Sequence, residues 1–259
     1  MEVINYSSQW WGLIYDQMMA EMPDWLESVR RFYTLNLSGV RGPVLECACG
    51  TGLILLPLLQ AGCDIYGFDI STAMLATLRK KAEAQGVKDI DARISVQDLQ
   101  TFHYSRSFEA ILIPTTAFLH LTTQEAQIRA LRNIHDHLLP GGRLLLDLRL
   151  AGMRSLVEAP EVTRGTWYTW THPETGLPIR QRVDGRYDFD RRLVLDQCFI
   201  EYEGHAESFP MTACWIFREE FQLLLRVAGF SRWESFSTPE RGPLVVGLDE
   251  TYSYWVAYK

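Results

Sequence analysis

Residues able to do chemistry gather first around Val44–Gly52, which reads Val-Leu-Glu-Cys-Ala-Cys-Gly-Thr-Gly. Gly50 and Gly52 can adopt positive φ and carry no Cβ, so backbone amides there can approach a ligand at a strand end and a helix start. Val44 to Ala48, apolar apart from Glu46, suits a strand buried on both faces, and Leu53 to Leu59 suits a packed helix. Asp69 ends a second apolar run, near the spacing at which an acid accepts hydrogen bonds from both ribose hydroxyls of a nucleotide, although the same residue also suits a helix cap. His120 follows a fourth apolar run, and an imidazole there could take a proton from a hydroxyl nucleophile or merely cap or pack. A dinucleotide fingerprint begun at Gly50 would need glycine at position 55, where Leu55 stands, which disfavours a pyrophosphate and an NAD-dependent oxidoreductase.

The elements that must position these groups follow a βα rhythm. Predicted strands cover Val44–Ala48, Asp64–Phe68, Ala92–Val96, Phe108–Ile113 and Arg143–Leu148. Thr122 with Glu125 forms a capping box for a helix running to about Leu138, and Pro140-Gly141-Gly142 turns into the fifth strand. Two helix-like segments separated by Pro23 precede the first strand, with Trp10, Trp11, Ile14, Tyr15 and Met18 at helical spacing in the first. From Val162 to Phe217 the rhythm breaks into short aromatic and β-branched runs divided by turns, an antiparallel meander of three or four strands. A helix over Arg218–Ala228, closed by Gly229, and strands over Trp233–Phe236 and Ser253–Tyr258 complete the chain.

The acid of Glu46 before Ala48-Cys49-Gly50-Thr51-Gly52, together with Leu138-Leu139-Pro140-Gly141-Gly142-Arg143, resembles the motifs of class I S-adenosylmethionine (AdoMet) dependent methyltransferases. The order of elements is similar across nearly the whole chain; residues 44–148 carry the specific motifs, and the insert resembles those of aminosugar and glycine N-methyltransferases. The resemblance implies a doubly wound, seven-stranded, mostly parallel α/β sheet of Rossmann type with a small antiparallel insert. It divides the chain into an N-terminal helical cover (1–37), an AdoMet-binding core (38–161 and 218–259) and a substrate cover (162–217).

It further implies AdoMet across the carboxyl ends of the first four strands. Glu46 would lie near its amino-acid end, Gly50 and Gly52 against the methionine moiety and Asp69 on the ribose, with Ala48, Cys49 and Thr51 also binding the cofactor. Ile70 and Met74 would pack near the adenine, Asp98 and Leu99 would read it, and Pro114 would begin the segment that meets the methyl group. Tyr15 and His120 are the candidate catalytic residues. Trp11, Tyr15, Phe118, His120, Arg149, Trp167 and Tyr168 are the candidate acceptor contacts, although Arg and aromatic residues alternating on a sheet also describe a wet face over a core face.

Composition bounds the rest. With 259 residues, 47% of them hydrophobic, the chain can bury one large core plus a small appendage. A net charge of −7 opposes a phosphate-neutralising surface, and no Asn/Asp-Pro-Pro-Tyr sequence follows the fourth strand, so nucleic-acid and protein amide acceptors are disfavoured. No apolar window is long enough to span a bilayer and Met1–Tyr15 lacks a signal-peptide pattern, so a cytoplasmic protein without a membrane partner is expected, as monomer or homodimer. Five cysteines at irregular spacing and no His-Cys set suggest neither disulfides nor a metal site. The expected activity is methyl transfer to nitrogen or oxygen of a small molecule, with a non-catalytic AdoMet-binding module as the alternative from another class.

Overall fold

The computed structural model describes residues 8–158 and 162–259. Residues 1–7 of the expected cover and the last three of the first core segment lie outside them. In chain order the elements are α1 (Gln9–Ala20), α2 (Pro23–Leu37), β1 (Val44–Cys47), α3 (Leu55–Gln60), β2 (Ile65–Asp69), α4 (Thr72–Ala84), β3 (Ile94–Val96), β4 (Phe108–Ile113), α5 (Gln124–His137), β5 (Leu138–Leu150) and α6 (Met153–Val157). There follow β6 (Val162–Arg164), β7 (Tyr168–Thr171), β8 (Pro178–Asp188), β9 (Leu193–Tyr202), β10 (His205–Cys214), α7 (Arg218–Ala228), β11 (Arg232–Phe236) and β12 (Thr251–Tyr258).

The main sheet has seven strands in the order β11-β12-β5-β4-β1-β2-β3. All pairs from β3 to β5 are parallel, and β12 runs antiparallel between β5 and β11. The chain winds outward from β1 to β3, then crosses back to β4, so the order reverses between β1 and β4. At such a reversal the connections leave in opposite directions and open a crevice at the strands' carboxyl ends. Period-2 alternation sends Ile111 and Ile113 of β4 into a core shared with α5 and α7, and Ala110 and Leu112 into a core shared with α2, α3 and α4. Val29, Phe32 and Tyr33 of α2 are fully buried there, so α2 is a layer of the core, whereas Trp10, Trp11 and Ile14 of α1 pack in a cluster with the insert.

Three local expectations shift. The cap of α5 is Thr123, whose hydroxyl accepts the Ala126 N–H, because Thr123 holds the extended backbone from which that bond can form. The third strand is shorter than Ala92–Val96, since residues 90–92 close a 3-10 turn after Asp89. The insert has five strands, in the order β10-β9-β8-β6 with β7 also on β8. Long β8 spans two short partners, Val162–Arg164 and Tyr168–Thr171, and the missed one is the three-residue β6.

Candidate active site

The turn after β1 is held in a left-handed backbone at three places, Ala48 (φ 55°), Gly50 (φ 52°) and Gly52 (φ 79°). Gly52 has a second constraint, because a Cβ there would lie 3.0 Å from Cγ of both Leu56 and Leu78. Ala48 adopts the conformation despite its Cβ, at a cost of about 1–2 kcal/mol. Strain of this kind persists where surroundings over-determine the backbone. Here they do: Cys49 N–H donates to the Phe68 carbonyl at 2.9 Å, and Gly50 N–H to Asp69 Oδ2 at 2.8 Å. The resulting pocket is lined by Tyr15, Glu46, Ala48, Cys49, Gly50, Thr51, Leu53, Ile54, Pro114 and Thr115. Seven of these are sequence-predicted site residues; Leu53, Ile54 and Thr115 are additions.

Two carboxyls dominate the electrostatics. Glu46 is 1% exposed and its Oε2 has no hydrogen-bond partner among the described residues. Burial, then the neighbouring Asp69, pushes its pKa well above the ordinary carboxylate range. A buried carboxyl left without a donor is costly unless a cation or donor arrives. Asp69 is also raised by burial, against bonds from Ser71, Gly50 and Ile70 that favour its charged form. Its Oδ1 accepts the Ser71 N–H at 2.8 Å, so it tethers the turn after β1 to the start of α4.

Across the crevice, β4 ends in Pro114-Thr115-Thr116. Thr115 (φ 56°) and Thr116 (φ 58°) are consecutive left-handed residues with side chains. Asp147 of β5, fully buried, holds both: Thr115 N–H donates to Oδ1 at 2.9 Å and Thr116 N–H to Oδ2 at 2.8 Å. The Tyr33 hydroxyl donates to Oδ1 at 2.6 Å and the Tyr252 hydroxyl to Oδ2. The Thr115 side chain in turn hydrogen-bonds Tyr15, whose phenol burial pushes up to about 12. Sequence reasoning missed Asp147. Its signal was a single acid within the apolar run Leu144–Leu150, in a strand whose neighbours require both faces buried.

The other predicted residues divide. Met74 is buried with its methyl 3.3 Å from where a Cβ of Gly50 would stand, and Ile70 is exposed beside Asp69. Asp98 closes a turn, Oδ1 accepting the Gln100 N–H at 2.7 Å, with Leu99 half-buried after it. His120 Nδ1 lies 3.1 Å from the carbonyl of Thr212 in β10; an acceptor there makes Nδ1 the protonated nitrogen. Burial lowers the pKa of His120. Trp11 is buried edge-on to Phe209, joining α1 to the insert.

Phe118 departs from expectation. It is fully buried and packs edge-on against Phe221 of α7, because the 3-10 turn after Thr116 points it into the core rather than the crevice. Trp167 lies under the guanidinium groups of Arg180 and Arg182, the side of β8 opposite Ile179 and Gln181 and therefore the outer face of the insert. Tyr168 stacks on Trp170 and is largely exposed. Arg149 shares the β5 face of Asp147 but stands in solvent, 3.9 Å from Glu250.

Helix α1 clasps the site. Asp16 accepts the Thr51 hydroxyl and the Lys81 ammonium, each at 2.5 Å, and Thr77 donates to the Gly12 carbonyl at 2.6 Å. Gln17 makes a two-way bond with the backbone of Thr171 in β7, both legs 2.9 Å. The pocket is therefore walled by strand ends below and by α1 above. Among the described residues no three His, Cys, Asp or Glu are grouped to hold a metal, and no helix is long and apolar enough to cross a membrane.

Comparison with known proteins gives concordant matches. Residues 44–142 match a family described as a methyltransferase domain. Over 212 residues the chain is 26% identical to the cypemycin N-terminal methyltransferase of a Streptomyces species, covering 81% of this chain and 76% of that protein. Over 104 residues it is 29% identical to a dTDP-3-amino-3,6-dideoxy-alpha-D-glucopyranose N,N-dimethyltransferase of Streptomyces fradiae, covering 40% of this chain and 38% of that one. An S-adenosylmethionine-dependent methyltransferase of Clostridium acetobutylicum shares the fold at a TM-score of 0.70 and 16% identity, covering 89% of this chain and 91% of that one.

Proposed function

We propose that this AdoMet-dependent methyltransferase delivers its methyl group to the nitrogen of a small-molecule amine. The observation that carries the cofactor's position is Glu46, a buried carboxyl with an unpartnered oxygen at the edge of a glycine turn. It fits the ammonium of a bound amino-acid moiety. Thr51 and the amides around Gly50 border the same end, and Asp69 keeps acceptor capacity for a ribose hydroxyl after accepting Gly50, Ser71 and Ile70. Ile70, Met74, Asp98 and Leu99 are the residues for the adenine; Tyr15, Pro114 and Thr115 border the methyl end. AdoMet supplies a methyl on a sulfonium, a good leaving group, so the protein's main task is to align a nucleophile about 3–3.5 Å away and exclude water.

Nitrogen is favoured over oxygen on two grounds. Both sequence relatives described above are named as methyltransferases of an N-terminus or an amine nitrogen. The candidate proton acceptors are also poor ones: burial pushes the Tyr15 phenol up to about 12, so it holds its proton at neutral pH, and burial lowers the basicity of His120. A neutral amine needs alignment and desolvation, whereas a hydroxyl needs a stronger proton acceptor. Tyr15 orients, through its bond to Thr115, and His120, bonded through Nδ1 to the Thr212 carbonyl, ties the segment after β4 to the insert. Titration calorimetry with AdoMet, S-adenosylhomocysteine and NAD, followed by transfer from methyl-labelled AdoMet to amines and matched alcohols, tests the reading. Binding of the first two and labelling of amines alone are expected; NAD binding, or labelling confined to alcohols, tRNA or folded proteins, would refute it.

A further inference from the structure

The insert turns one face toward α1, and its cross-strand rows can be read from the register. Gln181 aligns with Ile200 and Glu207, Val183 with Cys198 and Phe209, Gly185 with Asp196 and Met211, and Tyr187 with Val194 and Ala213. Polar groups in the first row are matched within the protein. Gln181 Oε1 accepts from Trp170 Nε1 at 2.7 Å, and Glu207 from Trp10 Nε1 at 2.9 Å. Asp196 is different. Its half-buried carboxylate has no hydrogen bond and no ion pair among the described residues. Burial alone raises its pKa, with no nearby cation to offset the effect. The sheet makes room for it at Gly185, where a Cβ would stand 2.6 Å from Asp196 Oδ1.

The position of that row matters. Met211, directly opposite Asp196, packs, as Tyr15 does, against the cluster that contains Met74, whose methyl borders Gly50. The next residue along β10, Thr212, gives its carbonyl to His120. On the far side Tyr187 leans on Trp215. Asp196 therefore faces the space between the methyl end of the pocket and the aromatic end of the insert. A partly desolvated anion without a partner destabilises the protein by itself, and a cation is the ligand that offsets this most. Tyr187, beside it, is a flat wall suited to a cation.

We propose that Asp196 is the charge-reading residue of the acceptor site, binding the ammonium of a cationic amine and so excluding neutral acceptors. This rests on the amine reading above. The amine sheds one proton to water before its lone pair attacks, and an N–H that remains stays donated to the carboxylate, which orients the nitrogen. Glucosamine and a low-molecular-weight extract of the source cells, split on a cation-exchange resin, are the probes. Methyl-labelled AdoMet is expected to label product in the retained fraction only.

With that fraction or with glucosamine, Asp196→Asn should raise KM for the acceptor about 10- to 100-fold, the value of a charge-assisted bond. Its Kd for AdoMet should remain as in the unaltered protein, and Asp196→Glu should recover part of the loss. Labelling confined to the unretained fraction, or an unchanged KM in Asp196→Asn, would overturn the proposal while leaving methyl transfer to small molecules intact. AdoMet binding with no labelling in either fraction would overturn both.

Discussion

Asp147→Asn isolates the carboxylate that holds the segment after β4. Oδ1 accepts Tyr33 and Thr115, and Oδ2 accepts Tyr252 and Thr116. An amide keeps one oxygen and replaces the other with an NH2, which in either orientation faces a backbone N–H. One buried donor is then orphaned, at about 1–3 kcal/mol, and the remaining bonds lose their charge assistance, for a total near 2–4 kcal/mol. Thr115 and Thr116 together store about 2–4 kcal/mol in their left-handed backbones, so the loss is as large as the strain it restrains. Amide exchange at Thr115 and Thr116 should accelerate by at least about tenfold, and the Tm should fall by roughly 4–16 °C at about 2–4 °C per kcal/mol. The rate of methyl transfer should fall more than AdoMet affinity, because the turn after β1 is untouched. Residue-resolved exchange by NMR, with calorimetry for AdoMet, measures each quantity. If both amides exchange as slowly as before, Asp147 does not hold the segment.

The remaining predictions concern single groups. Glu46 has a native pKa above its unfolded value, so the ligand-free protein binds more protons than the unfolded chain and loses stability as pH rises from about 4.3 toward the native pKa. Glu46→Gln should flatten that loss in thermal scans across pH and weaken AdoMet by about 1.5–3 kcal/mol in calorimetry; unchanged affinity would remove Glu46 from the cofactor site. His120 has a native pKa below its unfolded value, so the stability tied to it is complete above about pH 6.5 and declines as pH falls below that. His120→Gln should remove this acid-side slope, and its effect on kcat should be less than about tenfold, since a loss of 10² or more would indicate proton transfer and an oxygen acceptor. Gly12→Ala would place a Cβ 2.7 Å from the Ala73 carbonyl, lifting α1 from α4 at about 1–3 kcal/mol and speeding AdoMet release in stopped-flow displacement; an unchanged off-rate would show that α1 does not gate the pocket.

By itself the sequence determined the features that local periodicity and glycine placement encode. β1, the turn through Gly50 and Gly52, the acid at the end of β2 and the switch from βα units to an antiparallel insert all depend on residues within a few positions of one another. The pocket lining at Tyr15, Glu46 and Pro114 followed once those elements were in order. What tertiary structure decided was the direction of side chains whose alternation is visible but whose neighbours are not. Phe118 went to the core because the 3-10 turn after Thr116 directs it there, and Trp167 went to the outer face of the insert because period-2 alternation gives two faces without saying which layer covers each. Asp147 could be recognised as an anomalous acid, but its partners Tyr33, Thr115 and Tyr252 come from three other segments of the chain. Their convergence is a product of packing, in which a buried carboxylate is retained only where several distant donors meet it.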